Sequence, residues 1–104
     1  MILYEIEKTP LFDKWFKNLK NSQAKIRIGL RLKKISQGYF GDHKQIDQNL
    51  SELRFFFGSG YPIYYTIQNG KVILLLNGGD KDSQSDDITK AQKIINELEV
   101  NHDH

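Results

Sequence analysis

Cysteine is absent from the 104-residue chain, and proline, methionine and tryptophan are scarce, with two, one and one copies. Without cysteine the chain has neither disulfides nor thiolate metal sites, which fits the cytoplasm. No run of 18 apolar residues and no signal-like segment occurs, so nothing indicates a membrane partner or export. We therefore expect a cytoplasmic protein with a single small domain, spanning residues 2–99.

Sequence motifs for common enzyme chemistries are missing as well. The chain has no paired-histidine zinc motif, no nucleophile elbow, and neither a Walker nor a dinucleotide-binding glycine motif. His43 lies in a polar segment and is expected at the surface rather than as a general base. His102 and His104 belong to a tail, residues 100–104, that we expect to be disordered. The sequence accordingly predicts no metal site and no cofactor.

Charge is unevenly distributed along the chain although the net charge is only +2. Between Leu11 and Lys44 there are nine basic and two acidic residues, whereas from Asp80 onward seven acidic residues face three lysines. A basic half of this kind indicates either a solvated helix surface or a local contact with a polyanion.

The spacing of apolar residues predicts a first strand over about residues 1–7 and then a pair of helices. Thr9 and Pro10 are typical of the N-cap and first position of a helix. The second helix is expected from about Gln23 to Gln37, ending at Gly38. The predicted core stripes are Phe12, Trp15, Phe16 and Leu19 in the first helix and Ala24, Ile28, Leu32 and Ile35 in the second.

Ile26 and Leu30 point nearly opposite the core stripe of the second helix, so this apolar surface needs a further neighbour. That neighbour is either the first helix or another protein. On the second reading, Ile26 and Leu30 are candidates for a partner-binding surface.

Three short apolar segments then predict an antiparallel meander, after a loop that extends to about residue 49. Asn69-Gly70 is a strong hairpin signal. A two-residue turn there would pair Gln68 with Lys71 and Tyr65 with Leu74, and a three-residue loop at Gly58-Ser59-Gly60 would pair Leu53 with Tyr65. That register puts Arg54 directly across from Tyr64. A last helix over about residues 83–99, capped by Ser83 or Ser85, completes an α+β sandwich.

The segment "NGGDKDSQSDD" after the most apolar strand is the clearest candidate for chemistry. Its glycines admit close backbone approach, and the helix N-terminus that follows attracts anions, so Lys81 could reach a bound phosphate. Alternatively the aspartates only solvate and cap the loop, with Lys81 paired to one of them.

The segments "ELRFFFGSGYPIYY", "LLLNGGDKDSQSDDITKAQ" and "FDKWFKNLKNSQAKIRIGLRLKKISQGYFGDHK" resemble the addiction-module killer proteins of the RelE/ParE (HigB-like) type II toxin superfamily. The resemblance covers residues 9 to about 98. It implies a RelE-like α+β fold with an N-terminal strand, a two-helix hairpin, a three-stranded antiparallel meander and a C-terminal helix. It also implies a toxin that a cognate antitoxin neutralises, often a helix-turn-helix DNA-binding protein.

For the ribonuclease branch, the resemblance implies ribosome-dependent cleavage of mRNA by metal-free attack of the ribose 2′-hydroxyl. Carried onto this chain, Arg54 would clamp the phosphate, Lys81 would be a second cation, and Tyr64 would stack on or orient a base. Contacts to the ribosome or mRNA backbone would come from Arg27, Arg31, Lys34 and Lys44.

One position departs from the family pattern, because Gly60-Tyr61-Pro62 stands where members usually read Gly-Tyr-Arg. A missing cation of this kind costs on the order of a hundredfold in rate. Two alternatives therefore stay open beside the endoribonuclease. The chain could be a non-enzymatic DNA gyrase inhibitor of the ParE type, or a catalytically weakened toxin retained with its DNA-binding antitoxin.

Overall fold

The computed structural model describes residues 3–55 and 60–102, with side chains up to Glu99. Its strands are β1 (Glu5–Lys8), β2 (His43–Asp47), β3 (Leu50–Leu53), β4 (Ile63–Gln68) and β5 (Val72–Gly78), and its helices are α1 (Pro10–Lys17), α2 (Ser22–Ser36) and α3 (Gln84–His102). A 3₁₀ turn, Lys81–Ser83, leads into α3. The predicted α+β fold, with its N-terminal strand, helical hairpin, antiparallel strands and C-terminal helix, is confirmed.

All five strands form one sheet in the order β1-β5-β4-β3-β2, in which β1 runs parallel to β5 and the other neighbours are antiparallel. The helices cover opposite faces. Buried residues on the α1/α2 face are Phe12, Ile28, Leu32, Ile35, Leu53, Phe55, Ile63, Tyr65, Ile73 and Leu75. Those on the α3 face are Leu50, Tyr64, Leu74, Leu76, Ala91 and Ile95.

Local sequence signals determine both helices of the hairpin. The Thr9 hydroxyl accepts a hydrogen bond from the Phe12 N–H at 3.0 Å and donates one to the Leu76 carbonyl at 2.6 Å. The same side chain therefore starts α1 and fastens it to β5. Asn21 caps α2 by accepting from two backbone N–H groups. All four residues of the predicted α2 core stripe are buried.

The predicted register between β4 and β5 is wrong by one residue from Tyr65 to Gln68 and by two at Ile63 and Tyr64, beyond an irregularity in the pairing. The turn forms at Asn69 and Gly70, both with positive φ, but Lys71 also lies in it and Gln68 pairs with Val72. A slip of one residue reverses the side chains of the whole strand, so Leu74 and Leu76 face α3. The sequence does not distinguish the two registers, because β5 is apolar on both faces and its pattern fits either one.

Two further expectations around β3 are wrong. Leu53 pairs with Ile63 rather than Tyr65, and Glu52 rather than Arg54 lies across from Tyr64. The connection from β3 to β4 is therefore longer than three residues; positions 56–59 within it lie outside the described residues. The segment expected to be a loop up to residue 49 contains β2, which pairs with β3 through an irregular register near Asp47.

The start of α3 also differs from the expectation. Asp80 caps the 3₁₀ turn that precedes the helix, rather than Ser83 or Ser85 capping α3 itself. Four apolar residues of the helix pack on the sheet, namely Ile88, Ala91, Ile95 and Leu98. The helix extends to His102, three residues into the segment expected to be disordered. In the described parts of the chain, no helix combines the length and apolarity needed to cross a bilayer.

Candidate functional site

One end of the sheet brings together the residues that the sequence singles out for chemistry. A cross-strand row of His43, Leu53, Ile63 and Gly78 marks this end. Arg54 follows Leu53 directly, and Lys81 follows Gly78 by three residues. Because neighbouring strands are about 4.8 Å apart, the ends of β3 and β5 stand roughly 10 Å apart, with the start of β4 between them. We call this region the Arg54 end of the sheet.

Arg54 is held at this end by the segment that precedes β2. Its backbone N–H donates to the Asp42 carbonyl at 3.0 Å, and its guanidinium pairs with the Asp42 carboxylate at 3.1 Å. The arginine side chain keeps 42% of its surface exposed. The carboxylate engages one guanidinium N–H group, so the exposed cation still presents donors to solvent and to a ligand. Asp42 belongs to the "GDHK" stretch, but the sequence alone did not identify it as the partner of Arg54.

Arg31, which was expected to contact RNA, is partly buried, and its guanidinium is engaged within the fold. It donates to the backbone carbonyls of Phe40, Asp42 and Arg54, with distances of 2.9 and 3.3 Å to Phe40. The group also lies over the Phe55 ring, 4.5 Å from its centroid. Burial lowers the pKa of Arg31, partly offset by Asp42 and Tyr65. Arg31 therefore joins α2 to the segments that precede β2 and follow β3, which carry Asp42 and Arg54.

Lys81 projects into solvent from a turn that is tightly organised. Asp80 accepts hydrogen bonds from the N–H groups of Asp82 and Ser83 at 2.9 and 3.0 Å, and the Ser83 hydroxyl donates to the buried Asp87 carboxylate. A Cβ on Gly79 would come within 1.8 Å of that carboxylate, so only glycine fits. The aspartates of this segment thus cap and brace the turn, while none of the described residues pairs with Lys81.

Tyr64 is fully buried beneath α3 rather than displayed at the surface. Burial above all, and then the nearby Glu52 and Asp87 carboxylates, raise the pKa of Tyr64, and Gln84 opposes this weakly. The phenol therefore stays protonated at neutral pH and cannot act as a base. With no exposed ring face, it cannot stack on a base while α3 is docked.

A row of buried polar groups crosses the α3 face at this point. Glu52, Tyr64 and Asn77 are cross-strand neighbours. Within the described parts of the chain, Glu52 Oε2, the Tyr64 hydroxyl and Asn77 Oδ1 have no hydrogen-bond partner in acceptable geometry. The Asn77 amide does donate to the Asp87 carbonyl at 3.0 Å. The sequence does not single out Glu52 or Asn77, because only the register places them beside Tyr64.

The remaining predicted RNA-contacting residues are exposed but dispersed. Lys44 is on β2 and pairs across the strand with Glu52, so it is near the Arg54 end of the sheet. Arg27 and Lys34 are on the outer surface of α2. Ile26 and Leu30, on the same helix, keep 63% and 59% of their surface exposed. The first helix therefore does not cover them, and their role in a partner-binding surface stays a prediction.

His43 and Pro62 complete this end of the sheet. His43 is exposed, as expected, and its Nδ1 lies 2.9 Å from the Gly41 carbonyl. Since a carbonyl only accepts hydrogen bonds, Nδ1 carries a proton and Nε2 of the neutral ring can accept one. Pro62 is buried, and its carbonyl accepts from the Gly79 N–H at 3.1 Å. No cation occupies position 62, as the sequence indicated.

No family model matches the chain. A protein of Haemophilus influenzae described as uncharacterized is 43% identical over 94 residues, which cover 90% of this chain and 95% of that protein. The chain belongs to the family of that Haemophilus protein. The identity is high enough, over nearly the full length of both, to show common ancestry and a shared fold.

Solved structures identify the fold. A mutant of the E. coli toxin RelE in the free state superimposes with a TM-score of 0.74 at 16% identity, covering 90% of this chain and 99% of that one. The intact E. coli RelBE toxin-antitoxin complex gives 0.60 at 15% identity, covering 74% and 95%. This member of the Haemophilus protein's family therefore has the RelE fold.

Proposed function

We propose that the chain is the toxin of a type II toxin-antitoxin system of the addiction-module killer group, and that it acts as a ribosome-dependent mRNA endoribonuclease. Support comes from the RelE fold and from the motifs quoted above. The second structural neighbour is itself a toxin-antitoxin complex, which also supports the proposal. The observation that carries the nuclease assignment is the position of Arg54 and Lys81, two exposed cations on either side of the start of β4.

The proposed reaction is a transesterification within the RNA strand. The ribose 2′-oxygen forms a bond to the adjacent phosphorus while the bond from phosphorus to the 5′-oxygen breaks. The 5′-oxygen takes up a proton from water, which leaves a 2′,3′-cyclic phosphate and a 5′-hydroxyl. Negative charge develops on the phosphoryl oxygens during this step. Arg54, which Asp42 holds in place, is a donor fixed in advance and stabilises that charge with little reorganisation. Lys81 would add a second positive charge from the capped turn.

His43, rather than Tyr64, is proposed to accept the proton of the 2′-hydroxyl. The buried phenol keeps its proton, because burial raises its pKa. His43 is exposed at the Arg54 end of the sheet and has an Nε2 that can accept the proton of the 2′-hydroxyl when the ring is neutral. Arg27, Lys34 and Lys44 are proposed to contact the phosphate backbone of the ribosome or mRNA.

The test is primer extension on mRNA after brief induction of the chain in bacterial cells. We expect cuts within translated codons for the wild type, and none for Arg54→Ala/Lys81→Ala. Lys71→Ala serves as the control, because it removes an exposed cation from the turn at the opposite end of the sheet. Growth arrest without cuts would contradict the nuclease assignment and lead to a gyrase supercoiling assay.

A second candidate function is that of a catalytically weakened toxin. The residues at positions 62 and 64 favour it. Position 62 holds a buried proline without a charge, and Tyr64 is inaccessible beneath α3. Wild-type chain that neither cuts mRNA nor arrests growth would support this candidate. Pro62→Arg should then restore arrest, provided that circular dichroism shows an unchanged fold; a folded but inactive Pro62→Arg variant would count against it.

A further inference from the structure

A groove lies between α1, the end of β5 and the beginning of α3. Its larger part is a cavity of about 490 Å³, and a second cavity of about 390 Å³ continues it to the turn at Asp80. Both cavities are lined by Trp15, Leu19, Gly78 and Asp87, and we call the two together the Trp15 groove. Ligand sites in proteins typically measure about 300–1,000 Å³, so the groove is large enough for a small organic group.

Trp15 forms the apolar wall of the groove because Gly78 leaves room for its ring. A Cβ on Gly78 would lie 2.5 Å from two carbon atoms of the Trp15 ring. The φ of Gly78 is not positive, so the close approach of the ring, rather than the backbone conformation, requires glycine here. Trp15 is only partly buried. The chain therefore presents an aromatic surface to the groove at the point where β5 ends.

Three lysines surround the larger cavity, namely Lys14 on α1, Lys20 between α1 and α2, and Lys90 on α3. All three are exposed, and within the part of the chain that the structure describes none of them pairs with a carboxylate. Asp87 also lines this cavity, but its carboxylate is buried and accepts a hydrogen bond from the Ser83 hydroxyl. The rim of the groove is therefore positive and attracts anions.

Asn77 adds a buried hydrogen-bond acceptor to the lining of the groove. The residue is 2% exposed, and its side-chain amide donates to the Asp87 carbonyl at 3.0 Å. This bond orients the amide, whereas Asn77 Oδ1 has no partner among the described residues. A buried oxygen without a partner is unfavourable, and an N–H donor of a ligand would satisfy it. The groove thus combines an aromatic wall, a buried acceptor and a basic rim.

We infer that the Trp15 groove binds one nucleotide of the RNA substrate, with the base against Trp15 and the phosphates at the lysines. A nucleobase has a flat face that stacks on aromatic side chains and N–H groups on its edge that donate hydrogen bonds. The adjoining phosphates complement the charge of the rim. This inference rests on the proposed function, since it names the ligand as part of the substrate.

The position of the groove favours a nucleotide within an RNA strand over a free nucleotide. Asp80 lines one end of the groove, and Lys81, the cation proposed to meet the reacting phosphate, follows it directly. A strand whose phosphate is bound by Lys81 therefore has a neighbouring nucleotide within reach of the groove. A free nucleotide offers the same base and phosphate but gains nothing from Lys81.

Trp15 is the single tryptophan of the chain, so its fluorescence reports directly on the groove. The probe is a single-stranded RNA of about six nucleotides, with 2′-O-methyl groups that prevent cleavage, titrated into the purified full chain. A base stacked on the indole quenches its emission, and we expect saturable quenching. Adenosine monophosphate tests the free nucleotide, and an abasic strand of the same length tests the phosphates alone.

Substitutions at the rim test the contacts to phosphate. Lys14→Ala/Lys90→Ala should weaken binding of the strand about tenfold and lower the slope of log K against log salt by about 0.7–1.4, which corresponds to one or two phosphate contacts on a single strand. Lys17→Ala/Lys93→Ala is the matched control, because it also removes one exposed lysine from α1 and one from α3. Thermal melts of both variants verify that the fold is retained.

The possible outcomes separate the inference from the function on which it rests. Quenching by the strand that Lys14→Ala/Lys90→Ala weakens and the control does not supports the inference. Unchanged Trp15 fluorescence in the presence of the strand, or equal affinity for the abasic strand, overturns it; cuts in mRNA within cells would still uphold the nuclease. Adenosine monophosphate that binds as tightly as the strand shows a site for free nucleotides and overturns the assignment to the substrate. Unchanged fluorescence together with no cuts in cells rejects both.

Discussion

Replacing Arg31 with lysine separates a structural role for this side chain from a role in RNA binding. The guanidinium donates to three backbone carbonyls, those of Phe40, Asp42 and Arg54. Lysine keeps the positive charge but presents it as a single ammonium, which cannot serve three carbonyls in different directions. If Arg31 acted mainly on RNA, the charge would matter most and the fold would tolerate the change.

The expected loss of stability follows from these hydrogen bonds. Each hydrogen bond from a charged donor contributes about 1.5–3 kcal/mol, and Arg31→Lys forfeits two of the three carbonyl partners. Because the side chain is only partly buried, water replaces part of what is lost. We therefore expect the free energy of unfolding to fall by about 2–4 kcal/mol, which lowers the Tm of a domain of this size by roughly 10–20 °C.

Urea denaturation followed by circular dichroism measures this change, with Lys34→Ala as the control. Lys34 is exposed on the same helix, and such surface substitutions change stability by less than about 0.5 kcal/mol. A urea midpoint for Arg31→Lys equal to that of Lys34→Ala would refute the structural role. A large loss of stability would also explain any loss of toxicity without a direct contact to RNA.

Two further predictions concern the residues around Asp87. Gly79→Ala should destabilise the fold by about 2–4 kcal/mol, because its Cβ would lie 1.8 Å from Asp87 Oδ2 and displace a buried, hydrogen-bonded carboxylate; urea midpoints equal to those of wild type would contradict the described turn. Burial raises the pKa of Tyr64 above its usual value of 10.0, so the folded chain keeps a proton that the unfolded chain loses. The contribution of the protonated Tyr64 to the free energy of unfolding is therefore present below about pH 10 and is lost as the pH rises further. Tyr64→Phe should leave stability at pH 7 nearly unchanged and flatten the fall above about pH 10; an equally steep fall in the variant would assign it to other groups.

The helices and the fold class could be predicted because their signals are local. Thr9 and Pro10 start α1, Asn21 caps α2, and the 3.6-residue spacing of Ala24 and Ile28 marks the buried face. These interactions involve residues a few positions apart, so composition and spacing suffice to identify them. The exposure of Ile26 and Leu30 follows from the same periodicity, once the opposite face of the helix is known to be buried.

Strand registers required the tertiary structure. Helices cover both faces of the sheet, so β5 is apolar on both faces. Its sequence has no alternation of polar and apolar residues that would show which face each side chain points to. One additional residue in the turn at Asn69 and Gly70 therefore reverses the strand. That reversal, together with the longer β3–β4 connection, puts Glu52 rather than Arg54 beside Tyr64.

The sequence by itself determined which residues are basic and where glycine is used, and its resemblance to the toxin superfamily implied that Arg54 and Lys81 meet a phosphate. Only the tertiary structure decided which cations remain exposed to do so. Arg31 is used within the fold because three carbonyls from distant segments converge on it, and Tyr64 is covered because α3 packs over its strand. Such long-range contacts depend on how separate elements come together, and the identity of a residue does not specify them.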